Sequence, residues 1–142
     1  MHRKPATRPP RVSVSFCLGG RGLDLERCTR EIGVVPSRVW VQRQAGLRDR
    51  PDLNTEEWIV SHDDSDSHSV DHAVAALLDR IWPLRERVAS CAQDMGAQAS
   101  VTCNIHIYGD LYTDRPVYDL AVGTMRRLVE LNADFALDIF LE

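Results

Sequence analysis

Two segments alternate apolar and polar residues without a break, and this period of two is the tightest constraint on the fold. In V-S-V-S-F-C-L, residues 12–18, Val12, Val14, Phe16 and Leu18 face one way and Ser13, Ser15 and Cys17 the other. In residues 99–108, Ala99, Val101, Cys103, Ile105 and Ile107 alternate with Ser100, Thr102, Asn104, His106 and Tyr108. Successive side chains of a strand project to opposite faces, so each segment is a strand buried on one side. Parallel sheets bury both faces. One-sided burial instead predicts an antiparallel or mixed sheet with helices on one flank.

The other elements follow from period and punctuation. Asp24 is a candidate N-cap, Leu25, Cys28 and Ile32 share a helical face, and Gly33 with Pro36 stops the helix. Residues 39–43 and 57–61 read as strands carrying Trp40 and Trp58, joined by a loop over about 44–55. From 69 to 95 an apolar stripe (Val70, Ala73, Val74, Leu77, Leu78, Ile81, Trp82, Val88, Ala92) predicts a long helix. Pro83 splits it by removing a backbone donor. Tyr118, Ala121, Val122, Met125, Leu128 and Val129 stripe a third helix, and a last strand, 134–141, turns Phe135, Leu137, Ile139 and Leu141 to the core. The order is β-α-β-β-α-β-α-β. It predicts an α+β two-layer sandwich of ferredoxin-like type with a mostly antiparallel sheet. The β-α-β segments 12–43 and 99–141 hint at two related halves.

Composition bounds what such a domain does. At 142 residues, 44% of them apolar, residues 12–142 suffice for one core. Met1 to Arg11 is basic and proline-rich and is expected to be a disordered tail. Of the 17 basic residues, Arg3, Lys4, Arg8 and Arg11 lie there; the remaining 13 face 21 acidic ones, a net of −8 for the body. Such a body repels a phosphate backbone, so a nucleic-acid partner is not expected. No apolar run reaches the ~20 residues of a membrane span. No secretory signal pattern is present, and the expected location is the cytoplasm. Cys17, Cys28, Cys91 and Cys103 form no C-x-x-C pair and are expected to be free thiols, mostly buried.

The combination resembles the bacterial domain-of-unknown-function family 4279. The carrying residues are the strand Val12 to Leu18, then L-D-L-E-R-C-T-R-E-I-G-V-V-P-S-R at 23–38, E-E-W at 56–58, the helix with a mid-point proline, and A-D-F-A-L-D-I-F at 133–140. The resemblance spans most of residues 12–141. Its most specific part is I-G-V-V-P-S-R at 32–38 with Trp58 downstream. That family usually carries Lys-Gly or Arg-Gly soon after the turn, where this chain has Ala45-Gly46. The resemblance implies a small α+β fold and no established activity.

Two clusters carry candidate chemistry. S-H-D-D-S-D-S-H-S-V-D-H, residues 61–72, offers His62, Asp64, His68 and His72 as metal ligands, since histidine with carboxylate suits zinc, manganese or iron. The simpler reading is an acidic loop in which Ser67 or Ser69 caps the following helix. The second cluster is the polar sheet face: Ser13, Ser15, Cys17, Thr102, Asn104 and His106, joined by Trp40, Gln42 and Asp138. Pairing of the two alternating strands would let Cys17 approach His106 as a thiolate site. Trp40 is the expected exposed anchor, Trp58 a cover for a sheet edge and Trp82 a core residue. G-G-R-G at 19–22 lacks the G-K-[ST] of a phosphate loop and reads as a turn. Arg126 and Arg127 read as a solvated face.

No catalytic set converges and no cofactor is implied. The reading that follows is a non-enzymatic protein-binding module, of inhibitor or immunity type by analogy, using the polar face or the 44–55 loop. The alternative is a small enzyme dependent on the His/Asp loop metal or on Cys17/His106. A homodimer is a reasonable expectation, since two-fold dimers are the commonest assembly.

Overall fold

The computed structural model describes residues 8–42, 55–64, 68–110 and 115–142, and of Asp64 only the backbone. The elements run β1 (Arg11–Arg21), α1 (Leu25–Ile32), β2 (Arg38–Gln42), β3 (Thr55–Asp64), α2 (Val70–Ile81), α3 (Arg85–Met95), β4 (Gln98–Ile107), α4 (Val122–Glu130) and β5 (Ala133–Leu141). The predicted order holds in part: the single long helix expected between β3 and β4 is two, α2 and α3.

Local chemistry accounts for the element ends. Asp24 accepts from the Arg27 N–H at 3.0 Å, and Ser69 likewise caps α2 by accepting from the His72 N–H. Gly33 and Gly96 end α1 and α3 with φ of 83° and 64°, a region costly for any residue with a Cβ. Pro83 splits the long helix as expected: Trp82–Leu84 form a 3₁₀ turn between α2 and α3.

One five-stranded sheet has the order β2-β3-β1-β4-β5. β1 pairs antiparallel with β3 and β4, β2 antiparallel with β3, and β4 parallel with β5. The ferredoxin-like expectation is corrected: the sheet is mixed, with three antiparallel pairings and one parallel, and β5 extends it outside β4. The residues between β4 and β5, α4 among them, form the long crossover that parallel strands require. The two β-α-β segments also differ, because β3 lies between β1 and β2 while β4 and β5 are neighbours.

Helices cover one face. Val12, Val14, Phe16 and Leu18 of β1 and Val101, Cys103, Ile105 and Ile107 of β4 are buried beneath them with Leu77, Leu78 and Ile81. Each such side chain contributes about 1.5–3 kcal/mol when fully buried. Trp58 belongs to this core, contrary to the expected edge role, because β3 is the second strand in from the margin. Its indole N–H donates to Thr29 Oγ1 at 3.1 Å. Trp82 is half-buried, with the Arg85 and Arg127 guanidinium carbons 4.8 and 5.4 Å from its ring centroid.

The margins differ from expectation. β5 turns Phe135, Leu137, Ile139 and Leu141 to the helix side, yet Phe135, Ile139 and Leu141 are exposed. In α4 the buried positions are Thr124 and Leu128, while Val122, Met125 and Val129 of the predicted stripe face outward. The helix begins at Val122, so Tyr118 precedes it. Arg127 is no solvated residue either: its Nη1 meets Asp79 Oδ1 at 2.7 Å and its Nη2 donates to the Ala75 carbonyl at 3.0 Å. All four cysteines are free; Cys28, Cys91 and Cys103 are buried.

At the start of the chain, residues 1–7 of the expected tail lie outside the described residues. Arg8 stacks 4.1 Å over the Tyr108 ring, Pro10 is buried, and Arg11 already belongs to β1.

Candidate functional site

The face opposite the helices is built mostly from small polar residues, with Ile59, 3% exposed, among them. Register places Ser13, Ser15, Cys17 and Gly19 of β1 beside Asn104, Thr102, Ser100 and Gln98 of β4. On the other side β1 meets Asp63, Ser61, Ile59 and Glu57 of β3. Beyond β4 the same rows continue to Asp138, Ala136 and Asp134. Ser13, Ser15, Cys17, Ser61, Ser100, Thr102 and Asn104 are all half-buried, held by sheet neighbours and not by a second layer among the described residues. Ser15 and Ser61 share a hydrogen bond of 3.0 Å between their hydroxyls. Trp40 and Gln42, paired with Glu57 and Thr55, lie on this face as the alternation predicts.

Larger groups bound this floor at both ends. At one end stands Trp40, 54% exposed, between Arg38 and Glu57. At the other, Arg11 pairs with Asp63, and the cationic partner holds that carboxyl below the usual range. Arg11 lies opposite His106, whose ring stacks on Phe140 with centroids 4.9 Å apart and whose Nδ1 is 2.7 Å from Glu142 Oε1. Sequence reasoning missed Ser61, Asp63, Phe140 and Glu142. β3 and β5 lack a clean polar phase, so only the register assigns these residues to the rim.

The register separates the proposed thiol pair. Cys17 sits opposite Ser100, and His106 opposite Arg11, six residues along β1. At ~3.4 Å per residue that is about 20 Å, far beyond proton-transfer reach. Burial, and then the Glu57 charge, pushes the Cys17 thiol up to about 11, the opposite of an activated nucleophile.

The histidine loop is likewise dispersed. His62 is half-buried in β3 with its side chain on the helix side, opposite Val14. His68 precedes the N-cap, so it shares no helical face with His72, which lies inside α2. Residues 65–67 and the Asp64 side chain lie outside the described residues. Among those described, no group of three or more His, Cys, Asp and Glu is placed to hold a metal ion. The 44–55 loop also falls outside them up to Asn54. Among the described residues, shallow depressions on the helix side include one of about 380 Å³ lined by Glu31, Glu86, Arg87, Ser90 and Asp94 and one of about 230 Å³ beside Ala92 and Leu131.

No helix among the described residues is long and apolar enough to cross a membrane. A search of curated proteins finds no match, and neither does one of solved structures. Residues 10–142 match the family described as a domain of unknown function (DUF4279), nearly the whole chain, and the protein belongs to that family.

Proposed function

We propose that this chain is a non-enzymatic module that binds a protein partner through the open face of its sheet. The observation that carries the reading is the floor of small, mostly hydroxyl-bearing side chains, with no second layer over it among the described residues, bounded by Trp40 at one end and by Arg11, His106 and Phe140 at the other. Small side chains let a partner's backbone or side chains approach closely. An exposed tryptophan beside an arginine is the composition of an interface anchor. Serine and threonine hydroxyls donate and accept, so they satisfy polar groups that association takes out of water.

Charge supports an inhibitor or immunity type of role. Outside its basic start the chain carries −8, which speeds association with a basic partner and repels acidic ones. The competing reading, a small metal- or thiol-dependent enzyme, draws no support from the dispersal of its residues. A cytoplasmic location accords with the free thiols.

The test uses the chain as bait in lysate of its own host, alongside Thr102→Arg. Thr102 lies mid-face between Ser15 and Ala136, so arginine there blocks the floor without entering the core. Wild type is expected to recover one stoichiometric partner, and the variant, with an unchanged circular dichroism spectrum, at least tenfold less. Equal recovery by both, or no stoichiometric partner, overturns the reading.

A further inference from the structure

The sheet ends on one side at β5, and that margin is apolar in both layers. Along its helix-side residues Ala133 and Leu137 are half-buried, and exposure is 36% at Phe135, 42% at Ile139 and 64% at Leu141, highest toward the end of the strand. The gradient has a geometric cause. A helix rises ~1.5 Å per residue and a strand ~3.3 Å, so the nine residues of α4 cover only about half of the nine of β5. α4 joins β5 through Leu131 and Asn132, so it covers the first half of the strand and leaves the second half bare.

α4 carries a second apolar stripe. At about 100° per residue, Thr124, Leu128 and Leu131 line the buried side, and Val122, Met125 and Val129 line another side, with Val129 77% exposed. Arg127, nearly opposite Val129 around the helix, reaches inward to Asp79 and Ala75 of α2. The exposed stripe therefore points away from α2, outward past β5.

The backbone of β5 is open on the same side. The Glu142 N–H donates to the Ile107 carbonyl at 2.9 Å. Peptide groups alternate sides along a strand, so even-numbered residues of β5 aim at β4. The odd ones, Ala133 to Leu141, aim outward, with no strand beside them among the described residues.

We infer that this margin binds a second copy of the chain, β5 pairing antiparallel with its counterpart about a two-fold axis at Leu137. Paired residues share a face, so the axis falls on a residue. At Leu137 all nine residues pair: Phe135 meets Ile139 of the partner, Asp134 meets Phe140, and Ala136 meets Asp138. An axis at Ala136 would set Asp134 against Asp138 twice, and one at Asp138 would set that carboxylate against itself; like charges directly opposite destabilise a sheet. Axes farther from the centre leave much of the strand unpaired. With the axis at Leu137 the outward peptide groups meet in about ten hydrogen bonds.

The helix layer is self-complementary about the same axis. The covered half of one β5 lies beside the bare half of the other, so Met125 and Val129 of each copy reach Ile139 and Leu141 of its partner. On the helix side of this margin, Val122, Met125, Val129, Phe135, Ile139 and Leu141 present on the order of 600 Å² per copy, before the strand backbone is counted, against roughly 800 Å² per partner in a stable interface. Two sheets become one of twice the strand number, and their open faces join on one side. The inference is independent of the partner-binding reading: Thr102→Arg leaves the dimer intact.

Sedimentation velocity of the full chain tests it. Wild type is expected to sediment at twice 16.0 kDa. Val129→Lys and Ile139→Lys, both at exposed positions, are expected to weaken association at least tenfold with unchanged circular dichroism. Leu137→Cys, on the axis, is expected to cross-link to itself on mild oxidation, and Phe135→Cys, facing isoleucine, is not. A wild type that stays monomeric up to its solubility limit overturns the inference and leaves the margin to a different occupant. So does a dimer that both lysine variants leave intact, or one broken instead by Trp40→Lys on the β2 margin.

Discussion

Cys17 shows how far a single residue's chemistry depends on its neighbours. Alternation alone places its side chain on the polar face, and the structure agrees. Its reactivity is another matter, because that depends on Ser100, Glu57 and the degree of burial, all supplied by other strands. Burial dominates and the Glu57 carboxylate adds to it, so the thiol is pushed up to about 11 despite the opposing Ser100 hydrogen bond. The thiolate is the reactive form, and at neutral pH only roughly one molecule in ten thousand carries it. Iodoacetamide labelling of Cys17, located by mass spectrometry, is therefore expected to be slow at pH 7 and to climb about tenfold per pH unit through pH 10. A profile levelling off near pH 8.5 would contradict this. Trp58 is a parallel case: its aromatic strand is legible from sequence, and its depth follows from β3 being an interior strand.

Among the elements, those whose signals are local agree with the sequence, which for the cap of α2 leaves Ser67 or Ser69 open. Asp24 and Gly33 bound α1, Ser69 caps α2, and Pro83 interrupts the long helix. α4 departs from its predicted stripe because its start and its orientation are set from a distance. Its N-cap, Ala121, has no side-chain acceptor of its own. Asp71 of α2 supplies one, accepting from the Ala121 N–H at 2.8 Å and from Thr124. These hydrogen bonds, Thr124 first and Ala121 second, hold the Asp71 carboxyl below its ordinary value. A depressed carboxyl contributes stability above the unfolded-state value of about 3.9 and loses it as pH falls through the folded-state value. Asp71→Asn is thus expected to cost about 1 kcal/mol at pH 7, the worth of a helix cap, and to cost progressively less below pH 4. Urea unfolding at several pH values measures this, and a deficit that stays constant into acid would refute it.

Across the whole molecule, protection follows lateral position in the sheet. β1 and β4 are flanked by strands on both sides, while β2 and β5 are margins. Amide hydrogen exchange is expected to be slowest in β1 and β4 and fast in β2. In β5 it should alternate, with even-numbered amides slow and odd-numbered ones protected only when a second copy covers the edge. Equal protection of β2 and β1 would mean that the β2 margin is covered. The mixed order also explains why apolar residues of β5 and α4 face outward: they lie over the last strand, where no further helix flanks them among the described residues.

By itself the sequence determined which segments are strands and helices, where the first helix stops and the long one breaks, and which side chains share a face, because capping, proline geometry and the periods of two and 3.6 are properties of neighbouring residues. The tertiary structure alone decided which strands adjoin. That choice moved Trp58 into the core, parted Cys17 from His106, and left one row of apolar side chains at the margin. The physical reason is that burial depends on what lies beside a strand, and lateral neighbours come from distant parts of the chain.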